Sequence, residues 1–168
     1  MDVAASGSQS GLLCVHSLRR GEFIHSFRPP TLSRHGTSPA VSKLALATTG
    51  TLVVSMEDGG LHTFTINGVR LCSVDAGEQL HDIKLCSNGE MLVTGGDRCQ
   101  VLIRTTVDLQ VCAMLDLSSH GPIRCLALTP DDLNPVPQFL FIGSEDGSIT
   151  VVDQDPLNQQ KDSGTISF

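Results

Sequence analysis

Four times along this chain a short apolar strand runs into a tight polar turn and out into a second strand. The units span 4–17, 52–65, 92–105 and 140–153, and aligning them places Gly7, Ser55, Gly95 and Gly143 in one column, at spacings of 48, 40 and 48 residues. Recurrence of a strand-rich unit every ~40–50 residues constrains a fold more than any single motif, because each unit buries its apolar face only by stacking on the next. The turns carry hairpin chemistry. Glu57-Asp58-Gly59 and Glu145-Asp146-Gly147 each combine an Asp that bonds the local backbone with a Gly that accepts positive φ. Gln9-Ser10-Gly11 is a weaker version, and Asp97-Arg98-Cys99 lacks the glycine.

Flanking strands complete the unit. Upstream of three hairpins lie apolar segments at 41–50, 80–89 and 123–132, in which Leu44, Ile83 and Leu126 align, as do Leu46, Leu85 and Leu128. Downstream of three hairpins lie further strands at 22–27, 69–75 and 110–117. Four antiparallel strands joined by short turns make one blade of a β-propeller. The chain is therefore expected to be all-β, an incomplete propeller of about four blades near 1–27, 41–75, 80–117 and 122–153, two complete and two partial. It begins inside the second strand of the first blade and is expected to end after the third strand of the last. The longer connections, Arg28 to Ala40 and Asp131 to Pro137, read as surface loops. Residues 154–168 are polar and are expected to form a disordered tail.

Composition narrows the function. Apolar residues make up 40% of the chain, with six Phe and no Tyr or Trp, so the core falls to Leu, Val, Ile, Ala and Cys. The formal charge is -7 and the longest basic block is Arg19-Arg20, which excludes the concentrated cationic footprint of a nucleic-acid binder. The same deficit argues against a polybasic membrane patch, and no stretch reaches the ~18 apolar residues of a bilayer span, so no direct membrane insertion is expected. The start, 1–11, has neither a basic nor an apolar region of a signal peptide. A cytoplasmic location is expected, with the six cysteines as reduced thiols.

Chemistry-bearing groups read as structural. Cys14 and His16 share a strand face, but nothing marks the orienting group or oxyanion site that a nucleophile needs. No CxxC pair suggests zinc, and the cysteines read as small buried residues. Gly95, Gly96 and Gly143 lack the Lys and helix start of a phosphate loop. No catalytic residue, metal or cofactor is therefore expected. An open ring leaves apolar faces and strand edges uncovered, so self-association or pairing with missing blades is expected.

The segment 119–128, with His120 leading into an apolar strand, resembles the start of a WD40 repeat, and 144–149 resembles its later hairpin. The column that carries Trp in well-formed repeats holds His16, Phe64, Arg104 and Val152, so the buried His–Ser–Trp hydrogen-bond set of such repeats is not expected. Residues 1–30, 61–68 and 145–149 are similar to the last blades of BEACH-domain proteins of the neurobeachin and neurobeachin-like branch, over roughly 1–153. That resemblance implies the WD40 portion of a large cytoplasmic scaffold. It also implies peripheral membrane association of the full-length protein, and roles in vesicle trafficking and in the biogenesis of granules and lysosome-related organelles. Partners would be proteins: the remaining blades, the BEACH region of a longer chain, or trafficking factors.

In a propeller, the turns between second and third strands open on the same rim as the blade-to-blade loops. That rim would display Glu57, Asp58, Glu78, Asp97, Arg98, His120, Glu145 and Asp146, with Arg28, Arg34 and His35 on the longest loop. A mainly acidic rim fits a basic peptide or a neighbouring domain. The repeat alone also fits a free-standing adaptor of a ubiquitin-ligase or signalling assembly. A small thiol or metal enzyme is the alternative of another class, which a metal assay and a thiol-reactivity profile would test.

Overall fold

The computed structural model describes residues 2–31, 38–129 and 139–153, with the backbone of a strand at 164–166. Among the described residues every regular element is a β-strand. Blade 1 has three strands, β1 (Val3–Gly7), β2 (Leu13–Ser17) and β3 (Glu22–Phe27). Blade 2 has four, β4 (Val41–Leu46), β5 (Thr51–Met56), β6 (Gly60–Thr65) and β7 (Arg70–Asp75). Blade 3 comprises β8 (Leu80–Leu85), β9 (Met91–Gly96), β10 (Gln100–Thr105) and β11 (Val111–Asp116). Blade 4 comprises β12 (Ile123–Leu128), β13 (Phe139–Ser144), β14 (Ile149–Asp153) and β15 (Gly164–Ile166). Consecutive strands pair antiparallel, and the first strands β4, β8 and β12 lie side by side. The expected incomplete propeller is thus what the chain forms, and among the described residues blade 1 shows three strands where the other blades show four.

One expectation is corrected. The last blade does not stop after its third strand, because Ile149, Thr150 and Val151 of β14 pair with Ile166, Thr165 and Gly164 of β15. An uncovered strand edge recruits an extended segment, and two of these three residues are β-branched. The rest of the expected disordered tail, 154–163 and 167–168, lies outside the described residues, as do 32–37 and 130–138 within the two longer loops.

The core sits at the seams between blades, and strand alternation builds it. Successive side chains on a strand point to opposite faces. Leu52 and Val54 therefore face blade 1, where they join Leu13, Met56 and Phe64, while Val53 faces blade 3 and joins Leu61, Leu80, Ile83 and Leu92. Val93 and Val101 then face blade 4 and meet Ile123, Leu126, Leu140 and Ile142. Burying each such side chain contributes about 1.5–3 kcal/mol before the cost of ordering it. No cysteine is among the fully buried core residues: Cys72 is half-buried and packs against the core between blades 2 and 3, Cys14, Cys86 and Cys99 are half-buried, and Cys112 and Cys125 are exposed. That corrects the expectation of buried thiols, since the inward positions of each strand are taken by branched aliphatic residues.

The turn without a glycine reproduces the geometry of those that have one. Cys99 takes φ 59°, beside 72° at Gly11, 84° at Gly59 and 85° at Gly147. A non-glycine residue there is strained by its Cβ.

Candidate interaction rim

In blades 2, 3 and 4 the turn between second and third strands is tied to the loop entering its own blade. Glu57 N–H donates to Ala40 O (2.9 Å), Asp97 N–H to Gln79 O (3.3 Å) and Glu145 N–H to Pro122 O (2.9 Å). The repeat of one bond in three blades aligns the turns and loops along one edge of the arc. On that edge the turn of blade 2 and the loop into blade 3 enclose a shallow recess of ≈ 380 Å³, with Glu57, Asp58, Asp75 and Glu78 in its wall. Asp58 Oδ1 accepts from Gly60 N–H (3.0 Å), Asp75 from Gly77 N–H (2.7 Å) and Glu78 Oε2 from Arg98 N–H (2.7 Å), so three of these carboxylates are held by the backbone. The Arg98 guanidinium packs on Gly77, within 3.3 Å of where a Cβ would sit.

A second polar group spans blades 3 and 4. His81 Nε2 lies 2.6 Å from Asp97 Oδ1 and 2.9 Å from Arg124 Nη1, and Arg124 Nη2 lies 2.9 Å from Glu145 Oε1. One ring nitrogen serves one of its two neighbours at a time: protonated it donates to Asp97, unprotonated it accepts from Arg124. Beside this chain, His120 Nδ1 lies 3.1 Å from both Asp146 Oδ2 and Ser148 Oγ, and the Ser148 hydroxyl donates to Asp146 Oδ1 (2.6 Å). The Ser148 hydroxyl and N–H, and after them His120, hold the Asp146 carboxyl below its usual range. With Val152 in the Trp column, the turn is closed by a His–Asp–Ser set in place of a His–Ser–Trp set.

Two more residues of the Trp column have found other work. Arg104 is buried, and its Nη1 donates to Leu109 O (3.0 Å), fixing the turn in which Leu109 takes φ 57°. Burial lowers its pKa, partly countered by Glu78. Phe64 is buried, its ring tilted at 57° against that of Phe27 of blade 1 with centroids 4.9 Å apart. Next to it His62 is fully buried with Nδ1 2.9 Å from Ser73 Oγ, and desolvation lowers its pKa against the opposing pull of Asp58.

The predicted rim residues thus fall into two groups. Glu57, Asp58 and Glu78 share the recess, while Asp97, His120, Glu145 and Asp146 belong to the polar groups of blades 3 and 4, and Arg98 stands between. Arg28 is engaged with Ser10 O through Nη1, and Arg34 and His35 lie outside the described residues. Asp75, His81 and Arg124 were not anticipated. His81 and Arg124 both stand two residues before the aligned Ile83 and Leu126, a column the repeat already defines. Elsewhere, His16 sets its ring against Phe23, with centroids 5.7 Å apart. Among the described residues no group of three or more His, Cys, Asp or Glu is placed to hold a metal ion.

Comparison with known proteins gives the arc its family. The neurobeachin β-propeller domain family matches residues 1–162. BEACH domain-containing protein B of Arabidopsis thaliana is 31% identical over 152 residues, covering 90% of this chain and 5% of that protein. BEACH domain-containing protein lvsE of Dictyostelium discoideum is 27% identical over 165 residues, covering 90% of this chain and 7% of that protein. The chain therefore spans a small part of these relatives. A solved chain from the mitotic checkpoint complex superposes with a TM-score of 0.70 at 15% identity, over 89% of this chain and 44% of that one, which is a likeness of fold. With four successive antiparallel sheets and a family match over nearly its whole length, the chain belongs to the neurobeachin WD40 β-propeller family of BEACH-domain proteins.

Proposed function

We propose that this chain is the non-catalytic, protein-binding part of a BEACH-type scaffold, and that its acidic rim receives a basic extended segment of a partner protein. The recess carries this reading. Glu57, Asp58, Asp75 and Glu78 line one depression in a chain of net charge -7, and three of them are fixed by backbone N–H groups. Converging anions on a rigid sheet edge favour a cation at low cost in reorganisation, and complementary charge speeds encounter. In this reading the full-length protein is cytoplasmic and peripherally membrane-associated. It acts in vesicle trafficking and in granule or lysosome-related organelle biogenesis. The kinship with BEACH-domain proteins supports that over a free-standing adaptor.

Binding of a Lys/Arg-rich peptide to the whole chain tests the rim. Affinity should fall as salt rises, because exposed charges are screened within ~10 Å at 0.1 M. Glu57→Lys with Glu78→Lys should weaken it by about tenfold, each exposed pair contributing up to ~1 kcal/mol. Unchanged affinity in the double variant would remove the reading.

A further inference from the structure

We infer that His62 tunes the acidic recess: a proton taken up by its buried ring weakens the binding of a basic segment, and a bound basic segment drives that proton off. The inference rests on the reading of the recess as the site for such a segment. Two observations carry it. The first is the state of the ring. His62 stands in β6, just beyond the turn that carries Asp58, and is 0% exposed. Its Nδ1 lies 2.9 Å from Ser73 Oγ, whereas its Nε2, equally buried, has no hydrogen-bond partner among the described residues. The second is Gly60. A Cβ there would lie 2.6 Å from His62 Nε2 and 3.0 Å from Asp58 Oδ1. The two atoms thus border one small space, which a side chain at residue 60 would fill. The Gly60 N–H holds the same Asp58 oxygen in place (3.0 Å).

Asp58 is therefore shared between two places. It lines the recess with Glu57, Asp75 and Glu78, and it borders the ring. Burial keeps the ring neutral; Asp58 works against burial, and Arg70 of β7 works with it. At the paired positions β5 sets Val54 and β7 sets Ser73 opposite His62, and neither carries a charge. With the ring neutral, Asp58 offers its whole field to a cation in the recess. With the ring protonated, part of that field is spent on the imidazolium. The ring gains one unit of charge whichever nitrogen held the proton before, so the sign does not depend on the tautomer. A buried charge is also screened by salt much less than an exposed one. The coupling is reciprocal: a cation held at Asp58 makes the ring harder to protonate by the same factor.

The test uses the whole 168-residue chain and a synthetic Lys/Arg-rich peptide. Imidazole NMR follows the His62 ring between about pH 7.5 and 5, the range in which histidine charges, and the affinity of the peptide is measured across the same range. Saturating peptide should move the His62 midpoint to lower pH and leave His16 and His25 of blade 1 unmoved. Asp58→Asn should move the His62 midpoint the same way with no peptide present. Affinity should fall by about fivefold as the ring charges, the lower end of couplings between sites. His81 and His120 titrate on the same rim, so His62→Gln, neutral throughout, separates their share: it should lose the fivefold fall that belongs to His62. Should that variant fail to fold, the ring midpoint of the unaltered chain decides. An unmoved midpoint with peptide bound, or a pH dependence unchanged in His62→Gln, would overturn this inference alone. No binding at about pH 7.5, where the ring is neutral, would overturn the recess as the site and this inference with it.

Discussion

The seam between blades 3 and 4 and the seam between blades 1 and 2 are made of the same parts, less one strand. Among the described residues seven buried ones fill the first, with Ile123 and Leu126 of the inner strand among them. Five fill the second, and Leu13 is the only one that blade 1 supplies. Polar ties follow the same division. Asp82 Oδ2 accepts from Leu126 N–H across blades 3 and 4 (2.8 Å), beside the contact between His81 and Arg124. Between blades 1 and 2 the ties run from Val41 N–H to Ser8 O (3.1 Å) and from His25 Nε2 to Ile66 O (2.9 Å). An inner strand thus does more than add hydrogen bonds to its own sheet: β12 supplies Ile123 and Leu126 to the core shared with blade 3, and Val41, Leu44 and Leu46 of β4 pack against the smaller core shared with blade 1.

The comparison breaks most readily at matched residues. Ile123 is fully buried against Gly95, and Val41 is half-buried against Gly7 in the corresponding place. Ile123→Ala should cost about 2–5 kcal/mol in denaturant unfolding, and Val41→Ala about half as much, since a buried aliphatic truncation leaves a cavity in proportion to the packing around it. Equal losses would mean that the two seams are alike.

The glycines sharpen the point from the other side. A Cβ at Gly95 would lie 2.6 Å from Ile123 Cγ2, and one at Gly7 would lie 2.4 Å from Val41 Cγ1. The clash is similar but the freedom to yield is not. Gly95→Ala should cost about 1–3 kcal/mol, the usual range of overpacking. Gly7→Ala should cost less, because β1 is free to retreat. Calorimetric unfolding of both variants measures the difference.

A pH titration reads blade 2, which borders the weak seam. Unfolded, His62 takes up a proton near its ordinary 6.5, while in the folded chain burial holds the ring neutral to lower pH. Between those two points the unfolded chain binds more protons, so this contribution is complete above about 6.5 and is lost as pH falls through the window. Urea midpoints recorded across that window should slope downward toward acid, and His62→Gln should flatten the slope. An unchanged slope would show that another group governs it.

Smaller effects belong to the surface. Arg124→Ala removes an exposed ion pair with Glu145 and the contact with His81, and should cost about 0.5–1 kcal/mol. Cys99→Gly relieves a side chain at φ 59° and should raise stability by up to about 1 kcal/mol, the strain being offset in part by greater freedom of the unfolded chain.

Much of this arrangement was legible in the sequence, for physical reasons that differ by residue. The column Gly7, Ser55, Gly95 and Gly143 placed the second strands, since side-chain period and turn chemistry act locally. The alignment of Leu44, Ile83 and Leu126 placed the inner strands for the same reason. β15 was not legible, because Gly164–Ile166 becomes a strand through the edge it meets and not through its own pattern. The turn at Cys99 lacks the usual residue and is held by its context, in which Glu78 accepts from Arg98 N–H. The rim was read as a row of acidic turns. His81 and Arg124 were missed because their partners come from other strands and turns, and a column of unlike residues carries no shared chemistry to notice.

Residue-resolved native-state hydrogen exchange on the isolated chain tests the central claim most directly. If the chain is an arc of blades packed at their seams and open at β1, amides of β5 and β9 should exchange slowest, near the rate of global unfolding, and those of β1 fastest among the strands. Protection in β1 equal to that in β9, with no peptide added, would contradict it.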